Sequence, residues 1–472
     1  MVSLLIIIAS FLSAFLFDYL AEFNTFSVLI SQQKESHKTL TNADLTDDEK
    51  QKMLLRSSGK IFLSAINLNV FIGIVCLPFI FLVFYIGPWM VKGINYFSYI
   101  SSFKGIFISS SCFLLFYLIK KENQSTDYTL LQRFFHWVTL RSKIMLEMSY
   151  DINKNLHLKH TKAIHTDGKH VFITGLARSG TTALMNTLYT TKHYASLNYS
   201  DMPLLLAPNI WGTLSSKKTE TELKERAHKD RIQVNNKSPE ALDEVFWKTF
   251  LNNHYIQKES LSLNKITPEI MDEFEQYISL ILLKNKGENS LRYLSKNNNN
   301  VLRIPFLLKK FPEASIIITF RSPLDHAASL LDQHRHFSEI HQADHFSLNY
   351  MNWLGHHEFG LNQKPFDLGN SKLLVKMNTY QKDDINYWLL IWLNYYSYVF
   401  KKFADTCIFV SYEQFCKAPK RTLGNLVKKI DLKDEKFDIT AFKPTKRTIQ
   451  NADKKILNDC QKIYDELMIK SI

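Results

Sequence analysis

The 472-residue chain has five cysteines, Cys76, Cys112, Cys407, Cys416 and Cys460, and no two of them form a Cys-x-x-Cys pair. Such scarcity and scatter indicate neither a disulfide framework nor a structural zinc site. A His-Glu-x-x-His pattern, the helical spacing of a zinc hydrolase, is also missing. The net charge of +13 comes without zinc-finger spacing or a basic–aromatic repeat, so no nucleic-acid partner is expected. The most informative absence is a lysine. Gly175-Leu176-Ala177-Arg178-Ser179-Gly180-Thr181-Thr182 spaces its two glycines as a nucleotide phosphate loop does, but Thr181 stands where that loop has its lysine. An ordinary ATPase sets that lysine on the β- and γ-phosphates.

What the loop does contain suits a phosphate. His170-Val171-Phe172-Ile173-Thr174 reads as a buried strand, and Ala183 to Leu188 reads as the body of a helix. A glycine-rich turn between them presents successive backbone N–H groups at a helix N-terminus. Arg178 adds a planar fork that fits an anionic oxygen pair. A second turn of this kind follows the β-branched run Ile316-Ile317-Ile318-Thr319-Phe320. There Arg321 falls at the C-terminal end of a strand, where open α/β sheets bind ligands. Pro323 suits the first turn of the next helix, and Ser329, two turns along, can share a phosphate with Arg321.

The N-terminal part differs in composition. Val2–Phe17, Val70–Val91 and Gly105–Ile119 are apolar, and three membrane spans are expected from them over residues 1–120. The first stretch has no basic n-region and no clear cleavage site, so a signal peptide is disfavoured. Lys34, Lys38, Lys50, Lys52, Arg56 and Lys60 lie between the first two stretches, and Lys120 and Lys121 follow the third. The basic-side preference places the 29–60 loop and the C-terminal part in the cytoplasm. The expectation is a multi-pass protein with a lipid bilayer as partner, most simply in a bacterial inner membrane. Residues 121–160 read as a linker whose basic amphipathic run, Leu130–Met148, suits either a membrane surface or packing on the soluble domain. From 161 to 472 the pattern is that of an α/β domain. Expected strands are 170–174, 193–197, 231–235, 291–295, 315–320 and 406–411, with helices such as 270–285 and 383–402 between them. The predicted fold class is therefore a P-loop-like parallel β-sheet flanked by helices, preceded by a transmembrane region. The asparagine run 297–300 is read as the cap of a helix starting near Val301.

Taken in order, the two anion turns resemble those of the sulfotransferases that use 3'-phosphoadenosine-5'-phosphosulfate, in particular the bacterial membrane-associated or carbohydrate-type branches. Arg178-Ser179-Gly180-Thr181-Thr182 is similar to the family's 5'-phosphosulfate loop, and Arg321-Ser322-Pro323 with Ser329 is similar to its 3'-phosphate motif. Lys296, Phe311-Pro312-Glu313-Ala314, Tyr412-Glu413 and the segment Ser238–Trp247 add to the likeness, which covers roughly residues 130–455. The resemblance implies a sulfuryl donor bound by Arg178, Ser179, Gly180, Thr181, Thr182, Arg321 and Ser329, with no metal. It implies Arg178 and Lys296 as the cations at the sulfuryl group and leaving oxygen, with their division of labour open. The acceptor would be a hydroxyl on a glycolipid, lipid or carbohydrate. A base for its proton is sought among Glu240, His228 and Asp201, and Glu240, after Pro239, also suits a helix N-terminus. His334, His336, His341, His345, His356 and His357 cluster after Ser329, and they read better as a polar wall of an acceptor pocket than as a metal site. A P-loop kinase and an inactive membrane adaptor are the alternatives.

Overall fold

The computed structural model describes residues 2–20, 39, 46–86, 95–119, 130–162, 166–215, 221–225, 232–240, 242–285, 292–432, 437 and 452–472. They divide into two compact units, one with the described residues up to Phe134 and one from Phe135 to Ile472.

The first unit is built on helices Val2–Leu20 (α1), Asp47–Phe81 (α2) and Phe103–Ile119 (α3). Thr46 opens α2 with a capping box, its hydroxyl accepting from the Glu49 N–H while the Glu49 carboxylate accepts from the Thr46 N–H. Among the described residues no helix is long and apolar enough to cross a membrane. This overturns the expected transmembrane region, the bilayer partner and the multi-pass inner-membrane placement with a cytoplasmic catalytic part. The physical reasons differ between the stretches. α3 has 17 residues, roughly 26 Å at the α-helical rise, against a hydrocarbon core of about 30 Å. In α1 the apolar run ends at Phe17, before Asp18, which leaves roughly 24 Å at the helical rise. α2 begins in a charged run and gives way after Phe81 to π-helical turns over Leu82–Ile86. Residues 87–91 of the second apolar stretch lie outside the described residues. α1 packs on both α2 and α3, and Ile6, Ala9, Leu82 and Tyr96 are buried together.

In the second unit, two helices, Leu130–Arg141 (α4, which begins in the first unit) and Lys143–Thr161 (α5), take the place of one amphipathic link. Ser142 separates them, its hydroxyl accepting from the Met145 N–H. Tyr150 of α5 is fully buried and donates to the Glu273 carboxylate at 2.7 Å, so α5 belongs to the core.

Five strands form the main sheet: Val171–Thr174 (β1), Tyr194–Ala195 (β2), Arg292–Lys296 (β3), Ser315–Phe320 (β4) and Ile408–Ser411 (β5). All pairs are parallel and the order is β2-β3-β1-β4-β5. β1 is central, with Ile173 opposite Lys296 on one side and Ile317 on the other. Alternation along β1 sends Phe172 into one apolar layer and Val171 and Ile173 into the other, so both faces are covered. This unit also contains helices Thr181–Tyr189 (α6), Glu244–Phe250 (α7), Pro268–Lys284 (α8), Pro323–Ala343 (α9), His345–Leu354 (α10), Ile385–Phe403 (α11) and Lys454–Lys470 (α12). Trp388, Leu389, Leu390, Trp392 and Tyr395 of α11 are all buried.

Three expectations change. The strand expected at 193–197 shortens to Tyr194–Ala195. The strand expected at 231–235 is reduced to Gln233–Val234, which pairs antiparallel with Lys224–Glu225 outside the main sheet. Its side chains are polar or half exposed, so no apolar face draws it into the core. The asparagine run does not cap a helix at Val301. Asn297 caps a 3-10 turn, Asn298–Leu302, that contains the other three asparagines.

Beneath that turn lies a buried ion pair. Arg303 donates to both Glu244 oxygens at 2.9 Å, and both side chains are essentially inaccessible. Asn297 and Tyr255 also donate to Glu244, Asn264 accepts from Arg303, and the guanidinium stacks on Trp247. Replacing Arg303 by Met should therefore destabilise the unit by about 3–5 kcal/mol, because Glu244 keeps its charge without its partner. Lys310→Met, at a pair with exposed Asp272 and Glu275, should cost no more than about 1 kcal/mol. Urea unfolding measures both, and equal losses would refute a dominant buried pair.

Candidate active site

The central position of β1 brings three strand ends together. After Thr174 the chain turns at Gly175, where a Cβ would come within 2.7 Å of the Ser179 hydroxyl and the Thr319 carbonyl oxygen. Ser179 donates to the Leu176 carbonyl at 2.7 Å and meets the Thr319 hydroxyl at 2.6 Å. The loop is thus tied to β4 through a buried hydroxyl pair. Gly180 caps α6 with φ +95, and a Cβ there would touch the Tyr412 ring at 2.7 Å. Thr181 and Thr182 open α6 and are buried. Backbone N–H groups in this first turn have no carbonyl four residues back to bond.

Arg178 has φ +73, a left-handed backbone uncommon for a residue with a Cβ. Its Nε donates to the Ser329 hydroxyl at 3.3 Å. The loop after β1 and the helix after β4 therefore meet in one contact, which brings the two sequence motifs together. Arg321 lies over the Tyr412 ring, 5.0 Å from its centroid, and its carbonyl accepts from Trp392. Glu413 accepts the Ser322 N–H at 2.9 Å. Tyr412-Glu413, noted in the sequence as a likeness alone, thus supports the second motif from β5.

On the other side of β1, Lys296 ends β3 and donates to Glu240 at 3.3 Å. Tyr199 donates to the second Glu240 oxygen at 2.9 Å. Glu240 does not start a helix, because α7 begins at Glu244 after Asp243. Asp201 is buried, ion-paired with Lys284, and accepts from the Asn198 N–H. His228 lies outside the described residues.

His356 and Glu358 form a further pair near Lys296, with Nδ1 3.3 Å from the Glu358 carboxylate. Asn298 donates to the same oxygen at 3.0 Å. Burial opposes charge on His356, but the Glu358 carboxylate outweighs it and lifts the imidazole above its ordinary range. Burial likewise opposes charge on Glu358, yet His356 and Lys296 hold it at about 2. Beside them a cleft is lined by Leu176, Ala177, Asn298, Leu330, Glu358 and Trp388. The rest of the histidine cluster separates. His341 sits in the last turn of α9, next to Met351, whereas His345 starts α10 and is exposed. Among the described residues no group of histidine, cysteine and carboxylate side chains is arranged to hold a metal.

His326, the Tyr199–Glu240 contact and Glu358 escaped the sequence reading. His326 had a weak signal, since it falls between Arg321 and Ser329 on a helix. The other two depend on contacts between distant segments.

Residues 170–364 match the model of the sulfotransferase family. That match supports membership of the sulfotransferase superfamily and does not single out a membrane-associated branch. No curated protein matches the sequence. Among solved structures, the sulfotransferase STF9 from Mycobacterium avium aligns at 13% identity and a TM-score of 0.38, over 76% of this chain and 89% of that one. The sulfotransferase STF1 from Mycobacterium tuberculosis H37Rv aligns at 14% identity and a TM-score of 0.36, over 68% of this chain and 82% of that one.

The site also makes stability depend on pH. His326 is fully buried, and burial with Arg321 and Arg178 nearby holds it neutral down to about 3. In the unfolded chain an ordinary histidine titrates near 6.5. The unfolded state therefore binds the extra proton between these values, and stability falls as pH drops through that window. Replacing His326 by Gln should flatten urea-derived stability between pH 6 and 4 by up to about 1.4 kcal/mol per pH unit. Parallel wild-type and variant profiles would contradict this.

Proposed function

We propose that this protein is a sulfotransferase that takes its sulfuryl group from 3'-phosphoadenosine-5'-phosphosulfate and delivers it to a hydroxyl of a glycolipid, lipid or carbohydrate. The observation that carries the proposal is the Arg178–Ser329 contact, which unites two anion-binding turns in one site, with Lys296 on the adjacent strand. A donor with two separate phosphate groups needs two such grips. The α6 N-terminus with Ser179, Gly180, Thr181 and Thr182 fits the 5'-side, and Arg321 with Ser329 fits the 3'-phosphate. A P-loop kinase is disfavoured by Thr181 in the lysine position.

The donor supplies an activated sulfur. Bond formation from the acceptor oxygen accompanies breakage of the bond from sulfur to the bridging phosphate oxygen, which keeps the electron pair. Arg178 and Lys296 are the cations for the charge that grows on that oxygen. Glu240 takes the acceptor proton, and its Tyr199 and Lys296 contacts orient the carboxylate.

Calorimetry should show 3'-phosphoadenosine-5'-phosphate binding without Mg²⁺ and more tightly than Mg–ATP. Preference for Mg–ATP with no bisphosphate binding would sink the proposal and favour the kinase.

Glu240→Gln keeps the size and hydrogen bonding of the side chain but removes the base. It should bind the bisphosphate normally and lose about 10²–10⁴-fold in turnover. Mass spectrometry of host lipids and glycans with and without the gene supplies the acceptor for this assay. Unchanged turnover would remove Glu240 from the chemistry.

A further inference from the structure

His326 lies in the first turns of α9, five residues after Arg321 and three before Ser329. Its ring is completely buried and packs near Tyr396. Nε2 lies 2.8 Å from the Ala177 carbonyl oxygen. A carbonyl can only accept, so Nε2 carries the proton and donates. Nδ1 has no hydrogen-bond partner among the described residues. The ring is thus held by the packing around it and by a single polar contact, which crosses from α9 to the loop after β1.

We infer that His326 is a positioning residue that orients the peptide between Ala177 and Arg178 and so sets the phosphate loop for its anion. The inference rests on the sulfotransferase reading. A trans peptide is planar, with its C=O and N–H pointing in opposite directions. Pinning the Ala177 oxygen toward α9 turns the Arg178 N–H away from His326. The same constraint supports the left-handed Arg178 backbone, φ +73, a conformation that persists where surrounding contacts over-determine it. Rotation of this peptide would exchange a donor for a carbonyl lone pair, which repels an anion. The ring also ties α9, bearing Ser329, to the loop bearing Arg178, and thereby fixes the separation of the two phosphate grips. A neutral donor does this without a third positive charge beside Arg178 and Arg321.

The test compares bisphosphate affinity, donor KM and kcat in full-length wild type, His326→Gln, His326→Asn and His326→Leu, with melting temperatures. The Gln amide nitrogen reaches the position of Nε2, the shorter Asn amide does not, and Leu fills space without a donor. We expect Gln to bind the bisphosphate within about threefold of wild type and Asn and Leu to bind about tenfold or more weakly. Donor KM should rise in the latter pair, with kcat at saturating donor changed far less. A purely structural role would instead make affinity follow melting temperature whatever the donor reach. Equal affinity in the Gln and Asn variants, or wild-type affinity in the Leu variant, would overturn the inference. Should the Leu variant not fold, the Gln–Asn pair decides. Absence of bisphosphate binding in the wild type would refute the sulfotransferase reading itself, a result distinct from any difference among variants.

Discussion

The site depends on a charge pair that is far from water. Glu244 and Arg303 meet through two 2.9 Å bonds at the heart of the second unit. Burying two charges carries a large desolvation cost, which is met here by saturating their hydrogen-bonding capacity. Glu244 accepts from Arg303, Asn297 and Tyr255, and Arg303 reaches Asn264 as well. Next to Glu244, Asp243 accepts from Ser295, Tyr293 and Asn297, and burial raises its pKa. These bonds anchor the end of β3 from below. Lys296 is in that end, so its position follows from the network beneath it.

Above the anchor, the gathering of the loops follows from strand order. With β1 between β3 and β4, the loops leaving the C-terminal ends of three parallel strands are neighbours. Such a crevice gathers helix N-termini and ligand-facing side chains on one edge of a sheet. Tight contacts hold the loops: the Ser179 hydroxyl against that of Thr319, Gly180 under the Tyr412 ring, and the His326 ring against the Ala177 carbonyl. Rigid support is what electrostatic stabilisation of a transferred group requires, since donors that must reorient lose much of their advantage.

Polar placement also separates roles among similar residues. Glu240, Asp201 and Glu358 are all buried or half-buried carboxylates, yet each is hydrogen-bonded to a different set of side chains. Asp201 is held by Lys284, Glu358 by His356 and Asn298, and Glu240 by Lys296 and Tyr199. Of these, Glu240 accepts a hydrogen bond directly from Lys296, while Glu358 feels the same cation only through its field. The histidines divide in the same manner. Glu358 raises the pKa of His356, whereas burial with Arg321 and Arg178 nearby lowers that of His326.

The two strand-to-helix turns, the long strands and the major helices were legible because each is a local pattern: a glycine spacing, a β-branched run, or an apolar repeat. The expected spans failed because each apolar helix stops short: α3 ends after 17 residues, the apolar run of α1 meets Asp18, and α2 gives way to π-helical turns after Phe81. The strand expected at 231–235 failed because local polarity alternation does not decide which sheet, if any, accepts a strand. By itself the sequence determined which segments could hold an anion, since backbone turns and their side chains lie within a few residues of one another. Tertiary structure alone decided that Arg178 meets Ser329, that Lys296 meets Glu240, and that His326 braces Ala177. Those contacts join residues 151, 56 and 149 positions apart, and no local propensity encodes a partner at that distance.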